Sequence, residues 1–181
     1  PEKVKEFNVS VGINIDKHSI TRLIIDYLNA HLKKSNYGFY APDIQNILDI
    51  DYFNELSNDS GGQLSNKIIN SIVDENRSFF KTSYIVNHAT KNSKKFIKSI
   101  FDDKKKANEV FKNISQMLLS LKMNNPKRTD VEIEVIDYLL NAANEIEDTI
   151  SYLKIKTTYR LFITLLKQNN RDKKIYLQNQ P

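Results

Sequence analysis

Between Lys127 and Gln180 the chain has neither glycine nor proline. A stretch without those breakers favours long helix over alternating strands and turns. The same scarcity holds for the whole sequence of 181 residues, which carries four glycines and four prolines, two of the prolines at the chain ends. The fold class predicted is therefore mainly α, with an N-terminal three-helix unit, a small two-stranded β element and a C-terminal helical hairpin or bundle. The expected division is residues 1–86 for the N-terminal unit and 87–181 for the C-terminal one.

Apolar spacing places the elements. Ile20, Leu23, Ile24, Tyr27, Leu28 and His31 recur at three- and four-residue steps and predict a buried stripe on a helix over 18–34, capped by Asp16 or Ser19. A short helix is expected from Pro42 with Ile44, Ile47 and Leu48 inward, then one turn over 51–56, a loop over 57–62 and a helix over 63–75. Strict alternation of Phe7, Val9, Val11, Ile13 and Ile15 predicts a strand. Its expected partner is 78–86, rich in aromatic and β-branched residues, with a helix there as the alternative. Further helices are predicted over 88–101, 104–122 and 130–153, the last capped by Thr129 or Asp130. It then either runs on or restarts near Thr157 through Leu166, with a polar end past 168. The apolar repeat from 136 to 153 is too short for a coiled coil, so a hairpin or three-helix bundle is expected.

Several function classes drop out. The chain has no cysteine, which removes disulfide frameworks and Cys-ligated zinc or iron–sulfur centres. No run approaches the length of an apolar membrane span. Phosphate-cradling and nucleophile-elbow glycine motifs are absent. His18, His31 and His88 lie far apart, and none has the helical spacing of a metal pair. His31 sits on the apolar stripe, where a structural role is the simpler reading. Asp49, Asp51 and Glu55 offer a carboxylate group for a divalent cation, although turn capping and solvation explain them more simply. The acids of 130–148 have no interleaved base and no Glu-x-x-His unit. They are expected to lie against the basic part of the chain. No catalytic residue, metal or cofactor is expected. The compartment expected is the cytoplasm, with secretion or surface attachment left open because the sequence starts at Pro1 rather than at methionine.

Charge carries the positive evidence. The net charge is +5, and dividing the chain at residues 60 and 125 gives −3, +7 and +1. The excess is a central band, although a chain dominated by Ile, Asn and Lys also fits AT-rich codon usage. Within the band Lys91, Lys94, Lys95 and Lys98 fall at i, i+3, i+4 and i+7, which at ~100° per residue puts them on one helix face opposite Phe96, Ile97 and Ile100. Lys104, Lys105 and Lys106 follow. Unrelieved like charge of this kind attracts phosphates. The helix order 18–34, 42–48, 63–75 followed by 78–86 resembles a winged helix-turn-helix, in which the third helix would present Gln63, Ser65, Asn66, Lys67 and Asn70 to bases, with Lys67 and Arg77 on phosphates. A long linker before that third helix and a net negative N-terminal third weigh against it. The expected function is non-enzymatic binding to a DNA or RNA phosphate backbone, with homodimerisation through the C-terminal helices. The alternative is a helical protein-interaction module that would expose an apolar patch over 155–166 or meet an acidic protein partner.

Overall fold

The stripe that opens the chain is buried as its spacing demands. Ile20, Leu23, Ile24, Tyr27, Leu28 and His31 all point inward from α1 (Ser19–Lys33). The computed structural model describes residues 12–58, 62–154, 156, 158–171 and 173–175. A strand β1 (Ile13–Asn14) and a 3-10 turn (Ile15–Lys17) precede α1. The helix cap is neither Asp16 nor Ser19 but His18, whose Nδ1 accepts the backbone N–H of Ile20 at 3.3 Å.

After α1 the chain reverses at Ser35–Gly38 and enters β2 (Phe39–Tyr40), α2 (Ala41–Leu48), α3 (Asp51–Ser57) and α4 (Gln63–Asp74). Strand β3 (Phe79–Phe80) then returns antiparallel to β2, with Phe39 opposite Phe80 and Tyr40 opposite Phe79. Gly38 makes this crossing possible. Its φ is +116°, and a Cβ there would lie 2.3 Å from the carbonyl oxygen of Phe80, so both the backbone angle and the contact require glycine.

The strand pairing expected from the sequence is not the one that forms. β1 pairs with β4 (Lys174–Ile175) at the other end of the chain, Ile13 opposite Ile175. Residues 7–11 of the expected strand lie outside the described residues. Of 78–86 only Phe79 and Phe80 form strand; α5 (Thr82–His88) follows after Lys81. Tertiary contacts overrode β propensity here. Ile85 is buried, and Tyr84 stacks on His88 one helical turn later, with ring centres 4.2 Å apart.

The single helix expected over 88–101 is also divided. Thr90 interrupts it because its hydroxyl accepts the N–H of Ser93, an N-cap that starts a new turn. Residues 91–93 form that turn and α6 (Lys94–Ile100) continues it. The C-terminal half is a helical bundle: α7 (Ala107–Asn124), α8 (Asp130–Tyr152) and α9 (Tyr159–Asn170). Lys122 meets Asp137 at one end, and Phe111 lies with Ile150 at the other, so α7 and α8 run antiparallel. Phe111 also stacks on Phe162 of α9 at 4.1 Å. Of the two sequence candidates Thr129 caps α8, with Glu132 completing a capping box. The chain breaks after Tyr152 and restarts as α9, where Thr158 caps through Leu161 N–H. One continuous buried cluster runs from Ile15 to Leu166, with α1 packed on α9 and α3 on α7.

Candidate nucleic-acid interface

α6 buries Ile97 and Ile100 and half-buries Phe96, whose ring lies 5.6 Å from that of Phe53 on α3. The opposite side of the helix is lysine. Lys94, Lys95 and Lys98 are exposed there, and Lys91 is exposed in the turn that leads into it. Among the described residues none of the four has an ion-pair or hydrogen-bond partner for its ammonium group. The neighbours of α6 explain this, because it packs against α5, α3 and α7 rather than against the acidic helix α8.

The acidic helix does lie against the basic band, but at α7 rather than at α6: Asp137 pairs with Lys122 at 2.5 Å, while Glu132 pairs with Arg128 at 3.3 Å. Glu147 faces a groove at the far end of α8 beside Lys112, and burial raises its pKa against the opposing pull of that lysine.

The other cations expected to touch phosphate divide into free and committed groups. Lys104 and Lys106 are exposed in the turn before α7, where the Lys106 N–H donates to Glu109 at 2.8 Å. Lys105 turns inward and donates to Oδ1 of buried Asn113 at 3.0 Å, whose amide in turn donates to Tyr27 Oη and to the Ser99 carbonyl. Arg77 pairs with Glu75 at 2.7 Å and lies over the Tyr84 ring at 4.3 Å. Lys67 reaches from α4 to the carbonyl of His88 at 3.4 Å. On α4, Gln63, Asn66 and Asn70 are exposed, but Ser65 is buried and donates to Asp49 at 3.1 Å. The segment 78–86 does not begin a wing, since α5 replaces it.

A cleft of about 500 Å3 lies between α5, α6 and the 102–104 turn, with Lys81, Lys98 and Lys104 at its edges. Thr82 shapes it. The Thr82 hydroxyl donates to the carbonyl of Phe101 and accepts the N–H of Asp103 at 3.1 Å, fastening the turn to α5. Lys81 and Thr82 were missed in the sequence because they fall in the segment read as strand.

Asp49, Asp51 and Glu55 line one shallow pocket with Arg22, yet they do not form a cation site. Among the described residues no group of three His, Asp or Glu side chains could hold a metal ion. Asp49 accepts from Ser65, and Glu55 belongs to Arg128. Arg128 is the third residue that sequence reasoning missed. Its side chain is 1% exposed; it donates to Glu55 at 2.5 Å, to Glu132 at 3.3 Å and to the Leu121 carbonyl at 2.7 Å, and it lies over the Tyr52 ring. Tyr52 donates to the same Glu132 oxygen at 2.6 Å. Burial raises the pKa of Glu132, but the bonds from Tyr52 and Thr129 and the Arg128 charge outweigh it and bring the value down to about 2. The signal available was Arg128 directly before a Thr-x-x-Glu cap.

Each histidine makes an internal hydrogen bond. His31 is 3% exposed and donates from Nε2 to the Ile100 carbonyl at 2.8 Å; burial lowers its pKa to about 4. His18 caps α1 and His88 donates to the Tyr84 carbonyl at 2.9 Å. No protein-family model, curated protein or solved structure matches the chain. No described helix is long and apolar enough to cross a membrane.

Proposed function

We propose that the chain is a nucleic-acid-binding protein that grips the phosphate backbone through the α6 face. The observation that carries this is the set Lys91, Lys94, Lys95 and Lys98, exposed together and unpaired among the described residues. Four such ammonium groups repel one another, and among the described residues none of them is ion-paired to an acid, although Asp102 and Asp103 line the cleft that Lys98 edges. Backbone phosphates would offset it and release their counterions. Lys104 and Lys106 extend the same field, whereas Lys105 and Arg77 serve internal contacts. Charge reversal at both Lys94 and Lys95 is the test. Affinity for nucleic acid at low salt is expected to fall at least about tenfold with the melting temperature unchanged; an unaltered affinity would refute the assignment.

A second reading is supported by a different surface. Tyr152 is 86% exposed and Leu153 54% exposed at the end of α8, beside a groove of about 400 Å3 floored by Phe111 and Ile150. Among the described residues of the span 155–166, where a patch is expected, Phe162, Ile163 and Leu166 are buried. Contact between proteins, including self-association, would use 152–153. Sedimentation equilibrium of a Tyr152→Ser/Leu153→Ser double variant tests this, and a mass identical to that of a monomeric parent would remove self-association.

A further inference from the structure

We infer that the cleft between α5 and α6 holds one sugar-phosphate unit of RNA and makes the chain prefer RNA to DNA. This rests on the nucleic-acid reading above and adds the sugar to it. Lys81, Lys98 and Lys104 edge the cleft, all three exposed and with no acceptor for the ammonium group among the described residues. They continue the line of cations from Lys91 along α6 into a concavity of about 500 Å3, within the range of small-ligand sites.

The cleft also contains two acids, which distinguish it from a plain phosphate surface. Asp102 accepts the Lys104 N–H at 3.0 Å through Oδ1. Asp103 is exposed, and its carboxylate has no donor among the described residues. Its backbone is held on both sides: the N–H donates to Thr82, and the carbonyl accepts from Lys34. The backbone of Asp103 is therefore fastened at the cleft, which keeps its carboxylate on the wall that the lysines edge. A carboxylate accepts hydrogen bonds and donates none. Next to a deoxyribose backbone it meets only like charge. Next to ribose it accepts from the 2′-hydroxyl, the group by which proteins tell RNA from DNA. The lysines attract either strand, and Asp103 penalises one of them. Asn87, on the same wall, carries both a donor and an acceptor for a base edge.

Fluorescence polarisation of the full chain with single-stranded RNA, DNA and 2′-O-methyl RNA of one sequence tests this at about 50 mM salt. RNA is expected to bind about tenfold more tightly than DNA, with 2′-O-methyl RNA close to DNA. Asp103→Asn is expected to raise DNA affinity without raising RNA affinity, reducing the preference to about twofold or less. Asp148→Asn, an exposed acid on α8, should leave the preference intact. Equal binding of RNA and DNA by the unaltered chain would overturn the inference while leaving the phosphate-binding role standing. So would a rise in both affinities together in Asp103→Asn. Absence of binding to any of the three would overturn both.

Discussion

Gly38, Arg128 and His31 each hold a position that no common substitute fills. A Gly38→Ala change places a methyl group 2.3 Å from the Phe80 oxygen at a φ of +116°. It should cost about 3 kcal/mol in urea denaturation, at the upper end of single-residue effects. Arg128→Ala leaves Glu55 and the Leu121 carbonyl without the donor shown for them and takes one of several donors from Glu132, and a loss of about 3 kcal/mol is expected by the same measurement. His31 gives a pH signature. Its folded pKa of about 4 lies below the ordinary 6.5, so its contribution is complete above pH 6.5 and is lost as pH falls towards 4. Glu132, held at about 2 against 4.5, adds a loss below pH 4.5 in the same direction. Urea midpoints should therefore drop between pH 6.5 and 4 by the equivalent of about 3 kcal/mol, and His31→Gln should flatten that slope. His31 could be read as structural from its place on the stripe. Arg128 and Gly38 could not, because their partners lie 73 residues away in the case of Glu55 and on β3 in the case of Phe80.

Among the elements, periodicity succeeded where a helix had one buried face and an identifiable cap. α1, α4, α7, α8 and α9 all fall close to their apolar stripes, and Thr129 is the cap that its Thr-x-x-Glu pattern implies. It failed where short segments take their conformation from distant neighbours. The residues of 78–86 have strand-like composition, but Ile85 and Tyr84 are claimed by a helical wall against α4 and α6. Thr90 divides the next helix through a hydroxyl whose capping role is visible only once Ser93 is placed. The lysine face survived that break because α6 keeps Lys94, Lys95 and Lys98 on its outer side. Thr90→Ala should lower the melting temperature through a loss of about 1 kcal/mol of capping. It should weaken nucleic-acid affinity more than Thr164→Ala does, because Thr164 lies on α9 and caps nothing that carries the lysine face.

At the scale of the molecule, the charge distribution was legible and its pairing was not. Counting residues locates the basic band, but only the assembled helices reveal that two acids of α8, Asp137 and Glu132, pair with Lys122 and Arg128, away from α6. The separation leaves two unlike charged surfaces on one scaffold, and binding to phosphate should follow the basic one. The salt dependence of nucleic-acid affinity reads this directly. Each phosphate neutralised on a single strand contributes about 0.7 to the slope of log affinity against log salt, so four α6 lysines correspond to a slope near −3. Titration of the chain against single-stranded RNA across a salt series should give a slope of at least that magnitude, and replacing Lys91, Lys94, Lys95 and Lys98 together with alanine should reduce its magnitude by about 3. A slope unchanged by the four substitutions would contradict the account.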